Sequence, residues 1–323
     1  MRSDVLELLR EAGGYISGEK MAERLGVTRA AVWKKIAALR DAGYDISSAP
    51  RSGYILRSAP DRLIEPEIAK GLGTELVGRK IICYDAVGST NLLLKDMARQ
   101  GAENGTVVVA DTQGMGRGRM ERAFFSPPGK GIYVSILLRP NFLPQDAPKC
   151  TLMAAVAVAR AMEKFGLRAA IKWPNDIMHD GRKMVGILTE MSAEMDRVNY
   201  VVIGIGINVN IASEDFPEEL RPIATSLMQM KGEPLPRVAF LQELLRALDA
   251  LYACAQQEGF APVLAAWREY AVTLGQQVRV IGPAGESFEG MAADIDAEGA
   301  LLIDTSTGRR RVLAGDVSIR PKE

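Results

Sequence analysis

The stretch AAIKWPNDIMHDGRKMVGILTEMSAEMDRVNYVVIGIGINVN, residues 169–210, places strand-like apolar runs one after another with no helical pattern between them. The runs cover residues 169–173, 184–191 and 198–210. Strands that adjoin in sequence pair directly, whereas a doubly wound parallel sheet alternates strands with helices. The stretch therefore predicts an α+β domain with a mixed sheet. Further strand-like runs at 80–84, 106–110 and 131–138, and helical patterns at 89–100, 148–165 and 237–257, belong to the same domain.

Residues 1–60 show a different pattern, in which short amphipathic helices precede a hairpin. A basic helix follows Thr28, and a turn containing Arg51 separates two strand-like runs. This is the element order of a winged helix-turn-helix, whose third helix enters the major groove of DNA. A small helical interaction module with a solvated basic face is the alternative. The expected DNA-binding side chains are those of Thr28, Arg29, Trp33, Lys34 and Arg51.

Residues 273–323 contain short strand-like runs separated by glycine-rich turns, which predict a small SH3-like β-barrel. A domain of this size buries too little surface to be stable alone, so we expect it to pack on its neighbour. The predicted organisation is a winged helix at 1–60, a catalytic domain at 61–272 and the small β domain at 273–323.

Composition excludes several classes of protein. The charges of the forty basic and forty acidic residues cancel, so net charge indicates no class of partner. No apolar run is long enough to predict a membrane span, and the start of the sequence does not have the pattern of a signal peptide. The three scattered cysteines, Cys83, Cys150 and Cys254, indicate a reducing cytoplasm, and their apolar surroundings predict buried thiols. The single histidine, His179, lies in a turn pattern, so a zinc site or a Ser-His-Asp triad is not expected. Catalysis would then depend on Lys, Arg, carboxylates, backbone groups and a bound ion.

The segment QGMGRGR, residues 113–119, follows an apolar strand-like run. Glycines allow close approach to a ligand, and each arginine offers a planar fork of donors for phosphate or carboxylate. The segment lacks both the P-loop pattern and the third glycine of a dinucleotide fingerprint. It predicts a loop that closes around an anion, with a flexible solvated loop as the alternative.

Other clusters suggest a ligand slot. Ser89, Thr90 and Asn91 offer neutral donors and acceptors at a strand-to-helix junction, and KWPND at 172–176 places a cation, an amide and a carboxylate at one strand end. Lys183 follows a short turn and returns to that end. Glycines at alternate positions, Gly204 and Gly206, leave one strand face open for a ligand. Taken singly, Lys172 could be a surface residue and the glycines could mark a bulge.

Taken together, these motifs resemble the signature set of the biotin–protein ligases. The matching segments are Gln113-x-x-Gly116-Arg117-Gly118-Arg119, Lys172-Trp173-Pro174-Asn175-Asp176, Lys183-x-x-Gly186-Ile187-Leu188-x-Glu190 and Gly204-x-Gly206-x-Asn208. With the winged helix before them and the small barrel after them, the whole chain resembles the bifunctional biotin ligases and biotin-operon repressors of bacteria.

The resemblance implies that biotin reacts with ATP to give biotinyl-5′-AMP, and that a lysine of the biotin carboxyl carrier protein of acetyl-CoA carboxylase then takes the biotin. It implies catalytic roles for Lys183, Arg119 and Asp176, the last in deprotonating or orienting the incoming lysine. The implied biotin site is Ser89, Thr90, Asn91, Gln113, Gly116, Arg117, Arg119, Lys183, Gly204 and Gly206. The implied ATP/AMP site is Arg119, Arg122, Phe124, Lys172, Asn175 and Asn208. Mg²⁺ would be held on the phosphates, with no metal site formed by the protein alone.

Two positions depart from the family pattern. Glu121 stands where the family has a glycine, and Phe124 stands where it has a tryptophan expected to stack on adenine. These departures bear on how tightly the adenylate is retained, and not on the reaction itself.

The resemblance also implies that biotinyl-AMP acts as corepressor, promoting a homodimer whose winged helices bind operator DNA. The strand 184–192 and the loop 114–124 are the hypothetical surface for which a second copy and the carrier protein compete. Two alternatives remain: a ligase for lipoate or another short carboxylate, and a non-catalytic ligand-sensing repressor. The polar Ser89, Thr90, Asn91 and Gln113 favour a ureido head over an apolar dithiolane, and intact Lys172, Lys183, Asp176 and Arg119 disfavour loss of catalysis.

Overall fold

The computed structural model describes residues 4–119, 122–282 and 286–314, together with the backbone of 318–321. The chain divides into two compact units, Met1–Asp61 and Arg62–Glu323.

The first unit is a winged helix-turn-helix, as predicted. Its elements are α1 (Val5–Ala12), α2 (Gly18–Leu25), α3 (Arg29–Asp41), β1 (Asp45–Ala49) and β2 (Gly53–Ser58). The Thr28 hydroxyl caps α3 by accepting a hydrogen bond from the Ala31 amide at 3.2 Å. Ile16 forms an isolated antiparallel β-bridge with Tyr54, and its carbonyl lies where a side chain at Gly53 would project. The hairpin therefore packs directly on the segment between α1 and α2.

The second unit contains a seven-stranded mixed sheet in the order β3-β4-β5-β9-β8-β7-β6, in which β3 and β4 are parallel and all other neighbours are antiparallel. The strands are β3 (Lys80–Val87), β4 (Thr106–Gln113), β5 (Gly131–Leu138), β6 (Ala170–Lys172), β7 (Asp176–His179), β8 (Arg182–Ala193) and β9 (Val198–Asn208). The helices are α4 (Glu65–Ala69), α5 (Thr90–Arg99), α6 (Lys149–Lys164), α7 (Leu227–Lys231), α8 (Arg237–Glu258) and α9 (Ala261–Tyr270). This architecture confirms the predicted α+β class.

The two faces of this sheet are covered unequally. Helices α6 and α8 contact one face, where Val107 and Val109 of β4 point into the main core. Helix α5 covers part of the other face, where Val108 packs with Leu94. Because side chains alternate along a strand, a central strand covered on both faces is apolar throughout. The candidate site lies on the α5 face, where β8 and β9 extend past the N-terminus of that helix.

The C-terminal part is a five-stranded antiparallel sheet in the order β13-β12-β11-β10-β14. Its strands are β10 (Gln277–Ile281), β11 (Ser287–Ile295), β12 (Leu301–Thr305), β13 (Gly308–Val312) and β14 (Ser318–Pro321). Val278 and Ile303 belong to the same buried cluster as α6. The indole nitrogen of Trp173 donates to the Gly299 carbonyl at 3.1 Å. The small β domain therefore packs on the larger sheet, as its size predicts.

Only one of the three cysteines is buried, so the prediction of buried thiols was wrong for two. Cys150 has no exposed surface, whereas Cys83 and Cys254 are half-buried. Burial raises the pKa of Cys83 and of Cys150 to about 12, so both thiols are protonated at neutral pH. None of the helices in the described ranges has the length and hydropathy that a membrane span requires.

Candidate functional site

Residues from the separate sequence motifs meet around two adjoining cavities of the second unit. The cavities share Gly118, Phe124, Asn175 and Lys183 in their walls. The motifs come together because β9 lies between β5 and β8, while β7 returns the end of β6 to the start of β8. Lys183 lies on both cavities and marks their junction.

The first cavity measures about 40 Å³. Most of the predicted biotin-binding residues line it: Ser89, Thr90, Asn91, Gln113, Arg117, Lys183, Gly204 and Gly206. Gly116 and Arg119 are not in this wall: Arg119 lines the second cavity, and Gly116 is buried, where a side chain would meet the Phe124 carbonyl oxygen at 2.7 Å. Gly186, Ile187 and Leu188 of β8 complete the wall.

A hydrogen-bonded polar group forms one end of this cavity. The Gln113 side-chain oxygen accepts from the Thr90 backbone amide at 2.9 Å and lies 3.1 Å from the Thr90 hydroxyl oxygen. Ser89 occupies the position before α5 but makes no side-chain cap bond with the helix. Capping of α5 therefore does not account for the hydroxyl groups of residues 89 and 90.

The floor of the first cavity consists of glycines in register. Gly186 of β8 faces Gly206 of β9, and Gly204 faces Leu188 on the same side of the sheet. The ring of Phe124 lies on this floor, because a side chain at 206 would meet it at 2.6 Å and one at 186 at 3.2 Å. The Asn91 amide lies in the same way over Gly204. Gly204 and Gly206 both face the cavity, as their alternate positions predict, and they are covered by the side chains of Asn91 and Phe124.

The second cavity measures about 380 Å³ and is rich in cations. All six predicted ATP/AMP-binding residues line it: Arg119, Arg122, Phe124, Lys172, Asn175 and Asn208. Lys183 is also in its wall, 2.6 Å from an oxygen of Asp176. Among the described residues of this wall, Asp176 is the one carboxylate beside four cationic side chains. The cavity therefore suits a polyanion.

Hydrogen bonds hold the polar walls of the second cavity in place. Arg119 donates to the Asn175 side-chain oxygen at 3.2 Å, and the Asn175 amide donates to the Ile187 carbonyl at 2.9 Å. The Asn208 amide donates to the Thr225 carbonyl at 3.0 Å. These bonds link the loop of residues 114–124, the arginine loop, to β8 and anchor the Asn208 amide at the end of β9.

The arginine loop folds back on itself at its described ends. The Phe124 amide donates to the Gly116 carbonyl at 2.9 Å, and the Gly118 amide donates to the Arg122 carbonyl at 2.7 Å. These bonds bring Arg119 and Arg122 to the same cavity. Glu121, one of the two departures from the family pattern, lies outside the described residues.

One wall of the second cavity was not predicted. It comes from the segment after β9 and consists of Phe216, Leu220, Ile223 and Ala224. The Lys183 amide donates to the Ile223 carbonyl at 2.8 Å, and the Thr225 amide donates to the Lys183 carbonyl at 2.9 Å. This pairing between distant segments leaves no local pattern in the sequence.

In the first unit, all of the predicted DNA-binding residues are exposed. Arg29 and Lys34 are exposed on α3, and Trp33 has 60% of its surface exposed, although tryptophan is usually well buried. Arg51 is exposed in the hairpin turn, with a φ of 64°. The Thr28 hydroxyl is engaged in the helix cap described above.

Comparisons with known proteins assign each part of the chain. Residues 84–208 match the Biotin/lipoate A/B protein ligase family, residues 2–55 an HTH domain and residues 273–320 a Biotin protein ligase C terminal domain. The chain is 44% identical to the Bifunctional ligase/repressor BirA of Bacillus spizizenii, over 99% of this chain and 98% of that protein. It is 33% identical to the protein of the same name from Escherichia coli, over 96% and 95%.

A solved structure agrees. The biotin protein ligase of Aquifex aeolicus in complex with biotin and ATP superimposes with a TM-score of 0.67 at 28% identity, covering 76% of this chain and 100% of that one. Since identity to the Bacillus relative extends over nearly the whole chain, this protein belongs to the family of bifunctional biotin ligase/repressors.

Proposed function

We propose that this chain joins biotin to ATP, forming biotinyl-5′-AMP and pyrophosphate, and then transfers biotin to a lysine of the biotin carboxyl carrier protein. The observation that supports this most directly is the junction at Lys183. There a cavity with a neutral polar end adjoins a cavity lined by cations. This is the arrangement needed to bring a substrate with a neutral head and an anionic tail against a polyphosphate.

The neutral end of the first cavity suits the ureido ring of biotin. Ser89, Thr90 and Gln113 supply hydroxyl and amide groups, and Asn91 lies beside them. The Gly116 backbone would add a further hydrogen bond. The bicycle and tail would lie along Gly204 and Gly206. Because the ring of Phe124 now rests on Gly206, it moves off this floor when biotin enters and becomes available to cover the adenine.

In the first reaction, a biotin carboxylate oxygen attacks the α-phosphorus of ATP, and the bond from that phosphorus to the pyrophosphate oxygen breaks. Carboxylate and triphosphate repel one another, so fixed cations lower the barrier. Arg117, Arg119, Arg122 and Lys183 are placed to do so. Lys172, Asn175 and Asn208 would hold the AMP portion. Asp176 is the sole carboxylate among the described wall residues, so the phosphates of ATP would hold the Mg²⁺.

In the second reaction, the carrier lysine attacks the acyl carbon and AMP leaves. Asp176 is our candidate for deprotonating or orienting that amine. Its pairing with Lys183 is compatible with this role, because an ammonium group has three donors and can hold both Asp176 and a substrate oxygen. One carboxylate would then organise both reactions.

The direct test is incubation of the protein with biotin, ATP, Mg²⁺ and a carrier domain, followed by mass spectrometry of the carrier. We expect a mass increase of one biotinyl group, located on one lysine. Omission of ATP should abolish it, and a carrier with that lysine changed to arginine is the matched control. If biotinyl-AMP forms but the mass of the carrier does not change, the result would contradict the transfer step and leave the first reaction supported.

Replacement of Arg119 should weaken retention of the adenylate. Arg119→Ala removes a cation of the second cavity and its hydrogen bond to Asn175, so we expect release of biotinyl-AMP into solution about tenfold faster. Release is measured by rapid filtration and chromatography of the filtrate. Arg197→Ala, which removes an exposed arginine paired with Glu194, is the control. Equal retention by the parent and Arg119→Ala would refute the assigned role of the loop.

We also propose that the chain represses transcription by binding operator DNA through its first unit, with biotinyl-AMP as corepressor. The exposed α3 residues Arg29, Trp33 and Lys34 would lie at the major groove, with Thr28 at the helix start. Arg51 in the wing would contact the backbone. Support comes from the matched HTH domain and from the exposure of these side chains.

Lys34→Ala and Arg51→Ala should each reduce affinity for operator DNA about tenfold while leaving carrier biotinylation unchanged. Affinity is measured by fluorescence anisotropy at fixed salt, with DNA from the promoter region of the biotin genes of the source genome. Lys35→Ala is the matched control, because the neighbouring Lys35 lies 3.5 Å from Asp4. Parallel loss of ligation and DNA binding would contradict separate roles for the two units.

Biotinyl-AMP would promote a homodimer, and the carrier protein would compete with the second copy for one surface. We place this surface on β8 and the arginine loop. The pairing of β8 with β7 ends at Gly186, while its pairing with β9 continues to Ala193, so the second half of β8 is an open edge.

The absence of a disulfide pattern and of an apolar span in the sequence supports a cytoplasmic location.

Sedimentation equilibrium tests this dimer. At micromolar protein we expect the mass to double on addition of biotinyl-AMP and to return to the monomer when excess unbiotinylated carrier is added. ATP alone, which carries the nucleotide without the biotinyl group, is the matched ligand control. A mass unaffected by biotinyl-AMP would exclude the dimer, and a dimer that persists with carrier would exclude competition.

A further inference from the structure

A chain of hydrogen bonds runs from the surface into the polar end of the first cavity. Lys95 of α5 lies 2.6 Å from one oxygen of Glu190, and the other oxygen accepts from the Asn91 amide at 3.0 Å. The Asn91 side-chain oxygen lies 2.6 Å from the Ser135 hydroxyl, which is 2.8 Å from the Thr90 hydroxyl. Glu190 and Lys95 are outside the wall of the cavity, which Thr90 lines.

The carboxylate at the outer end determines the direction of these bonds. An ionised carboxylate only accepts, so the nitrogen of the Asn91 amide must face Glu190. The Leu188 carbonyl, which accepts from the same nitrogen at 3.2 Å, favours that orientation too. The Asn91 oxygen then faces Ser135, whose hydroxyl has one proton to donate.

The consequence appears at Thr90. Ser135 gives its one proton to Asn91, so the proton in the 2.8 Å hydrogen bond between Ser135 and Thr90 must come from the Thr90 hydroxyl. With its proton directed to Ser135, the Thr90 hydroxyl presents only lone pairs to a ligand, while the Gln113 oxygen is held by the Thr90 backbone amide. If the Asn91 amide were reversed, Ser135 would donate to Thr90, occupying one of its two lone pairs and leaving the Thr90 proton to point to Gln113 or to the ligand. Ser135 is fully buried, so water cannot substitute.

We infer that Glu190 is a positioning residue that makes Thr90 an acceptor, and thereby selects a biotin head group carrying N–H donors. This inference rests on the proposed function. Lys95 has a supporting role, because it occupies the outer oxygen of Glu190 and leaves the other for Asn91. Neither side chain would touch the substrate.

The test uses Glu190→Gln in the full-length protein, assayed by biotin-dependent exchange of pyrophosphate into ATP. With Lys95 on its oxygen, the glutamine presents N–H to Asn91 and reverses the chain. We expect the KM for biotin to rise about tenfold, with the KM for ATP and kcat within about twofold of the parent. Calorimetry should show the same tenfold loss in Kd for biotin without ATP.

A second variant distinguishes direction from mere structural damage. In Lys95→Met/Glu190→Gln, no cation holds the glutamine oxygen outward, so that oxygen can turn to accept from the Asn91 amide and the biotin KM should return towards the parent value. Glu243→Gln is the matched control: Glu243 pairs with Arg246 at a similar 2.6 Å on α8, across the sheet. It should leave the biotin KM unchanged.

Each outcome bears on one proposal. A parent protein that shows no biotin-dependent exchange would overturn the proposed function. A fully active parent with an unchanged biotin KM in Glu190→Gln, or an equal rise in the KM for ATP, would overturn the role of Glu190. If Glu190→Gln is too unstable to assay, the double variant decides: a parent-like biotin KM supports the inference, and a tenfold rise refutes it.

Discussion

The ion pair between Lys183 and Asp176, at 2.6 Å, lies where the two cavities of the second unit meet, and the site is arranged around it. The backbone of Lys183 is held on both sides by the segment 223–225, and its side chain passes over Gly186, where a side chain would meet it at 2.9 Å. A cation fixed at this junction can lie between the carboxylate of one substrate and the phosphate of the other. That is the place where their repulsion must be offset.

The remaining features of the site follow from this junction. On one side, uncharged groups suit a neutral head; on the other, arginines and Lys172 suit a polyanion. Phe124 borders both cavities and rests on the glycine floor that the biotin bicycle would occupy. Binding of biotin would thus be coupled to movement of the arginine loop, and this is the physical route we propose from occupancy of the site to a change at the proposed dimer surface.

Much of this could be predicted from the sequence. The strand runs at 106–110 and 131–138 are apolar on both faces, which predicts central strands of a sheet. Gly204 and Gly206 alternate with isoleucines in a strand, which predicts an open face for a ligand. The short strand β7 was missed, because Asp176–His179 reads as the approach to a turn. The wall at 216–224 was missed since long-range backbone pairing with Lys183 positions it. The covering of Gly204 by Asn91 also escaped, because Glu190 and Ser135 orient that amide from other strands.

We propose above all that the two cavities join biotin to AMP before any carrier protein is present. Exchange of labelled pyrophosphate into ATP, measured without carrier, tests it most directly. We predict exchange that requires biotin, saturates with it and is not supported by lipoate, which lacks N–H donors for Thr90 and its neighbours. No exchange with biotin would contradict the claim, and equal exchange with lipoate would contradict the assignment of the polar end.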